Sequence, residues 1–237
     1  MKDNHVVNMT SLQTKTPVPS PQSLVPIKIK ICGLFREQDI DYVNEALPDY
    51  AGFVFAESRR RVSGEFAARL RRRLSDDIVP VGVFVNAPIA DIAALYCENI
   101  IAIAQLHGTE DDGYITRLKA ASAAGGGKPI EVIKTVKSAE LEQNTPVMAE
   151  ADYYLFDSGA GSGTPFNWEL LNSAGMNVLT VKKPWFLAGG VSLDNIERAM
   201  TLNPWALDIS GGAETDGIKD RKKIVQLTAM ARKGKNV

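Results

Sequence analysis

Residues 79–106 read VPVGVFVNAPIADIAALYCENIIAIAQL. Val79–Val85 is a β-branched apolar run, Asn86-Ala87-Pro88 interrupts it, and a helix-like stretch from Ile89 to Cys97 leads to a second apolar run, Ile100–Leu106. Strands that are apolar throughout, alternating with amphipathic helices, point to parallel pairing, because such strands are buried on both faces. Pro88 suits a first helical turn, where its missing N–H goes unneeded.

The same alternation extends in both directions. Upstream lie a strand at Ile27–Cys32, a helix at Arg36–Leu47, a strand at Ala51–Phe55 and a helix at Gly64–Leu74. Downstream follow a helix at Glu110–Ala121, the break Gly125-Gly126-Gly127, and a strand at Ile130–Thr135. A helix near Ser138–Leu141, a strand at Tyr153–Phe156 and a helix at Trp168–Ser173 come next. Trp185–Ala188, Ser192–Met200, Ala206–Ile209 and Asp220–Ala231 complete the series as strand, helix, strand, helix. Eight strand–helix pairs in about 210 residues predict a (β/α)8 TIM barrel near its lower size limit. A doubly wound sheet competes, but it usually carries a nucleotide fingerprint after its first strand. Here Gly159-Ala160-Gly161-Ser162-Gly163 is GxGxG rather than GxGxxG and follows the sixth strand, and no phosphate loop of the GxxxxGK[ST] type exists. The expected organisation is one barrel domain, residues 27–237, behind a disordered or loosely attached N-terminal extension, residues 1–26, polar and marked by Pro17, Pro19, Pro21 and Pro26.

Composition narrows the function classes. The 237 residues are 45% hydrophobic and 23% charged with a net charge of −1, which argues against a nucleic-acid surface. Arg69, Arg71, Arg72 and Arg73 share a helix with Phe66, Ala67, Leu70 and Leu74, so they are expected to form its solvated outer face. Two cysteines make no disulfide framework, and Cys97 is expected to be a small buried apolar residue. With two histidines and neither CxxC nor HExxH, no metal site is expected. No membrane span or secretory signal is read from the chain, and a cytoplasmic location is expected by default.

Candidate chemistry sits where strands end. Cys32 closes the first strand and Asp157 the sixth, just before the glycine-rich Ser158–Thr164. Alternate side chains of a barrel strand face inward, so Lys28, Lys30 and Cys32 share a face, as do Tyr153, Leu155 and Asp157, and Asp208 and Ser210. That places Cys32, Asp157 and Asp208 at the top of the barrel, where such folds build active sites. Gly189-Gly190 after strand seven and Ser210-Gly211-Gly212 after strand eight suit a phosphate site, since glycines let backbone N–H groups approach an anion. Tight turns alone would also use these glycines.

These residues recur in a known family. Lys30-Ile31-Cys32-Gly33, Gly52-Phe53-Val54-Phe55, Ser58-Arg59-Arg60-Arg61-Val62 and Val81-Gly82-Val83-Phe84-Val85-Asn86 are followed in order by Gln105-Leu106-His107-Gly108. The Asp157 loop ending Phe166-Asn167-Trp168, then Leu187-Ala188-Gly189-Gly190 and Leu207-Asp208-Ile209-Ser210, complete the set. From residue 28 to about 232 the chain resembles the phosphoribosylanthranilate isomerases of tryptophan biosynthesis. The resemblance implies an Amadori rearrangement of a phosphorylated small molecule without any cofactor, with Asp157 as general acid and Cys32 as general base. It also implies that Arg60 grips the anthranilate carboxylate, with Arg59 and Arg61 adjoining in an open register, and that Asp208 lies near the anthranilate ring. For Asp208, a barrel-interior acid satisfied by hydrogen bonds is the competing role. Such an acid needs a raised pKa and such a cysteine a nearby cation, for which Lys30 is the candidate. His107 is expected in a structural or supporting role. No nucleic acid or membrane partner is expected, and the state is monomer or homodimer.

Departures are local. Ala56-Glu57-Ser58 lacks a proline-lysine often found before that serine, Asn167 replaces a common aspartate, and Ala188 and Gly211 stand where serine is frequent. Other phosphosugar barrels compete: epimerases with metal-binding histidines, and the histidine-pathway isomerase, which is expected to use an aspartate at the Cys32 position. A catalytically silent phosphate-binding barrel is the alternative of another class.

Overall fold

The computed structural model describes residues 26–137, 149–157, 168 and 183–233. Eight parallel strands close into a barrel in sequence order: β1 Lys28–Cys32, β2 Tyr50–Val54, β3 Val79–Phe84, β4 Ile103–Leu106, β5 Glu131–Lys137, β6 Tyr153–Asp157, β7 Trp185–Leu187 and β8 Ala206–Ile209. The ring closes where β1 pairs with β8, Lys30 opposite Asp208. The described helices are α1 Glu37–Ala46, α2 Gly64–Arg73, α3 Ile89–Cys97, α4 Asp112–Ser122, α5 Ile196–Thr201 and α6 Arg221–Lys233. The architecture is the expected (β/α)8 barrel. The glycine-rich loop 158–164, Phe166-Asn167, the helices expected near 138–141 and over 169–173, and the extension to residue 25 lie outside the described residues.

Strand parity sorts the apolar residues into two populations. One interior layer gathers Tyr50, Val81, Ile103, Ile133, Leu155, Phe186 and Ala206, with Tyr50 and Phe186 edge to face at 5.3 Å. The outward residues, among them Ile29, Ile31, Phe53, Leu106, Val132, Leu207 and Ile209, pack with helix residues such as Ile40, Leu70, Ile115 and Ile224. The interior is thus filled, and ligands have only the ends of the barrel.

Local chemistry fixes the helix ends. Ser63 caps α2 by accepting from the Phe66 N–H at 3.1 Å, and Asp111 caps α4 by accepting from the Tyr114 N–H at 2.7 Å. Asp220 accepts from the N–H of Lys222 at 2.8 Å at the start of α6. Arg69, Arg72 and Arg73 are exposed as expected, and Arg73 pairs with Glu37 and Asp41 of α1, but Arg71 is half-buried and donates to the Leu74 carbonyl at the end of α2.

One expectation is corrected here. Cys97 is exposed, not buried. It lies five positions after Ile92, the buried residue of α3, which turns it about 140° from the core-facing side. Element ends also differ: β4 begins at Ile103 rather than Ile100, and α4 at Asp112 rather than Glu110. α5 begins at Ile196 rather than Ser192, because the Asn195 side chain accepts from the Ser192 N–H and holds a turn there. After β8, a short 3-10 turn, Gly211–Ala213, leads into a hairpin of β9 Glu214–Thr215 and β10 Ile218–Lys219 that no sequence pattern announced. Among the described residues no helix is long and apolar enough to cross a membrane.

Candidate active site

At the top of β1, Cys32 points into the barrel opposite Gly52 of β2. A side chain at Gly52 would meet the Cys32 Sγ at 2.8 Å and its Cα at 3.0 Å, so glycine there is what gives the thiol its place. The Ser210 hydroxyl donates to the Cys32 carbonyl at 3.2 Å, tying the end of β8 to the end of β1.

Beneath the thiol, Lys30 is wholly buried. Its ammonium donates to Asp208 Oδ1 at 2.9 Å and to Gln105 Oε1 at 2.8 Å. Burial works against the Lys30 charge, but Asp208 and Cys32 more than offset it and leave the pKa raised. Burial likewise pushes the Cys32 thiol up, while Lys30 and, from β10, Lys219 pull it down and Asp208 adds to the rise. Lys30 is therefore the nearby cation expected from parity, yet burial outweighs it, and the Cys32 pKa is raised above that of an ordinary thiol.

Across the barrel, Asp157 ends β6 beside His107, whose Nε2 lies 3.5 Å from the Asp157 Oδ2. The His107 Nδ1 faces Thr135 Oγ1 at 3.1 Å and the Gln105 Nε2 at 3.4 Å. A single polar row therefore runs from Asp208 through Lys30, Gln105 and His107 to Asp157. Among the described residues no group of three or more His, Cys, Asp or Glu side chains is arranged to hold a metal ion.

The rim is organised by Glu214, a residue the sequence reading passed over. Arg60 donates to both its oxygens, Nε to Oε1 at 2.7 Å and Nη2 to Oε2 at 2.9 Å, Arg59 donates to Oε2, and Lys219 donates to Oε1 at 2.7 Å. Burial opposes the Glu214 charge, but these hydrogen bonds and charges prevail and bring its pKa down to about 2. Arg60 is thus fixed by one edge of its guanidinium at the mouth of the barrel. Lys219 also donates to the Ser210 carbonyl at 3.0 Å, so the hairpin grips the end of β8.

The glycine loops follow β7 and β8. Gly189 and Gly190 adopt φ of 78° and 97°, directly after β7. Gly212 approaches the loop after β7 so closely that an added Cβ would fall 1.9 Å from the Val191 carbonyl oxygen, which welds the seventh and eighth loops backbone to backbone. Gly211 opens the 3-10 turn with nothing among the described residues within 4 Å of where a Cβ would stand.

Of the residues singled out from sequence, Cys32, Asp157, Asp208, Arg60, Gly189, Gly190, Ser210, Gly211 and Gly212 all lie on the C-terminal ends of strands or the loops just after them. Gln105, Thr135, Gly52, Glu214 and Lys219 join them. Interior parity was signal enough for Gln105, two residues before His107. Glu214 and Lys219 had none, because an irregular loop offers no period to read.

Comparison with known proteins agrees with this geometry. Residues 29–229 match the family model described as N-(5'-phosphoribosyl)anthranilate (PRA) isomerase. The N-(5'-phosphoribosyl)anthranilate isomerase of Endomicrobium trichonymphae is 43% identical over 211 residues, covering 86% of this chain and 98% of its own length. The crystal structure of TrpF from Jonesia denitrificans superposes with a TM-score of 0.71 at 30% identity, covering 87% of this chain and 97% of that one. A phosphoribosyl anthranilate isomerase in complex with reduced 1-(o-carboxyphenylamino)-1-deoxyribulose 5-phosphate superposes with a TM-score of 0.68 at 28% identity, covering 87% of this chain and 99% of that one. A match of this extent, on a barrel with an acid and a thiol at its mouth, means that the chain belongs to the N-(5'-phosphoribosyl)anthranilate isomerase family.

Proposed function

We propose that this isomerase converts N-(5-phosphoribosyl)anthranilate to 1-(2-carboxyphenylamino)-1-deoxyribulose 5-phosphate with Asp157 as general acid and Cys32 as general base. The observation that carries the proposal is the placement of these two groups at the C-terminal ends of β6 and β1, Asp157 beside His107 and Cys32 above the buried Lys30.

The steps follow from the residue types. Asp157 passes its proton to the furanose ring oxygen as the bond from that oxygen to C1 breaks, and the anthranilate nitrogen supplies the electron pair that makes an iminium. The Cys32 thiolate then takes the proton from C2, and the electrons of that C–H bond neutralise the iminium to give an enolamine. Proton loss from the C2 hydroxyl and proton gain at C1 convert the enolamine to the ketone, so the reaction is an isomerisation with no net change in protons. Turnover leaves a thiol and a carboxylate, and one proton must travel from Cys32 to Asp157 to reset the pair. Burial favours the Cys32 thiol, and the Lys30 and Lys219 charges favour the thiolate.

Binding divides along the rim. The free edge of the Arg60 fork suits the anthranilate carboxylate. The backbone N–H groups of Gly189, Gly190, Gly211 and Gly212, with Ser210, suit the phosphate. Asp208, held on Lys30, serves the charge of that lysine rather than the anthranilate ring directly.

The deciding experiment generates phosphoribosylanthranilate in place and follows loss of anthranilate fluorescence without added metal. Turnover by the parent, reduced at least about 10²-fold in Asp157→Asn and in Cys32→Ala while both still bind a product analogue, is the expected result. Parental turnover in either variant removes the role assigned to that residue. A folded parent without activity removes the isomerase reading of this site.

A further inference from the structure

The contacts of Gln105 fix more than a position. An ammonium only donates, so the atom that Lys30 meets on Gln105 is the carbonyl oxygen, and the NH2 end of the amide is turned the other way. That NH2 faces the His107 Nδ1 at 3.4 Å, and the Thr135 hydroxyl stands 3.1 Å from the same nitrogen. An amide NH2 also only donates, which makes Nδ1 an acceptor and leaves the hydrogen of a neutral imidazole on Nε2. Nε2 is buried, makes no closed hydrogen bond among the described residues, and lies 3.5 Å from the Asp157 Oδ2.

We propose that Gln105, its amide oriented by Lys30, holds His107 as the Nε2–H tautomer, and that this N–H is the preset donor for the Asp157 carboxylate left after proton transfer. His107 and Gln105 are then positioning residues for the reaction, and the assignment rests on the reading of Asp157 as general acid. The gap of 3.5 Å is longer than a formed hydrogen bond. Contacts of this kind tighten when substrate closes the site. Neutrality of the ring matters, because an imidazolium would hold Asp157 ionised and disarm it as an acid. The charged groups facing the ring are Asp157 and Asp208, which favour the imidazolium, and Lys137 and Lys30, which oppose it. Burial, the largest influence, joins the lysines and keeps the His107 pKa below its ordinary value.

The chain has two histidines, His5 and His107, so a His5→Asn background leaves a single imidazole to observe. In the 15N spectrum of the full-length substrate-free protein near neutral pH, Nδ1 should carry no proton and Nε2 should carry one. Gln105→Glu keeps an oxygen for Lys30 but removes the N–H facing Nδ1, and should move population to the Nδ1–H or doubly protonated ring. Asp157→Asn should lower the His107 pKa in the same spectra, because it removes a carboxylate beside the ring. A protonated Nδ1 in the parent, a tautomer indifferent to Gln105→Glu, or a His107 pKa indifferent to Asp157→Asn would each overturn the proposal without reference to turnover. In the isomerase assay, His107→Ala should lower kcat by about 10²-fold with KM near the parental value, the usual cost of losing one preset donor. His107→Gln, which presents an amide N–H, should recover part of the loss. Parental kcat in His107→Ala sinks the proposal and leaves the isomerase reading standing. An inactive parent sinks that reading instead, and the spectra still decide the tautomer.

Discussion

At the scale of single residues, the site is a problem in burying a thiol and still using it. Cys32 lies above the ordinary thiol range because burial outweighs the Lys30 and Lys219 charges. In a Cys97→Ser background, which removes the exposed thiol, alkylation of Cys32 by iodoacetamide should be slow at neutral pH and accelerate only above the usual thiol range. Lys30→Met should push that onset higher still, and an unchanged pH profile would deny Lys30 any hold on the thiolate. Gly52→Ala places a methyl group 2.8 Å from Sγ, so it should lower kcat by tenfold or more, by roughly the cost of a displaced reacting group, with KM much less affected. Strand parity alone brought Cys32, Lys30, Asp157 and Asp208 together, because a side-chain period of two converts sequence position into direction. It could not reveal that Lys30 is shared among three neighbours, since spacing along β1 says nothing of what β4 and β8 deliver.

At the scale of elements, the hairpin after β8 is what the sequence kept from view. Strands and helices were legible through their periods, to within a few residues at the ends. Glu214–Lys219 has no period, and its meaning lies in contacts with residues more than 150 positions away, Arg59 and Arg60. Glu214→Gln would leave Arg60 and Lys219 charged around a neutral amide. Breaking a buried pair this way typically costs about 3–5 kcal/mol, which urea unfolding at neutral pH should register. It should also raise KM, because Arg60 loses the contact that aims it. The pH dependence has a definite sign. With a folded pKa of about 2 against an ordinary 4.5, Glu214 contributes stability in full above the unfolded value and loses it as pH falls toward 2. The parent should therefore shed stability across that acid window, and the Glu214→Gln variant should shed less.

At the scale of the whole molecule, the barrel was readable because eight repetitions of one alternation leave few other ways to bury so many two-sided strands. What was not readable is how strongly the ring depends on its seam. Lys30 and Asp208 face each other across the β1–β8 junction and are almost fully buried. Lys30→Met or Asp208→Leu alone should each destabilise by about 3–5 kcal/mol, whereas the double variant should recover much of the loss, as replacement of a buried pair by apolar groups generally does. Additive losses in denaturant titrations would show that the pair does not act as a unit.

That seam also orders events in time. The counter-charge of Lys30 is supplied 178 positions further along the chain, so during synthesis the ammonium leaves the ribosome long before its carboxylate exists. An unpaired charge is not drawn into a dry interior. The nascent barrel is therefore expected to keep its axis wet until the eighth strand arrives and pairs Lys30 with Asp208. Fragments made by cutting the chain between the seventh and eighth strands should therefore be silent apart and active only when mixed.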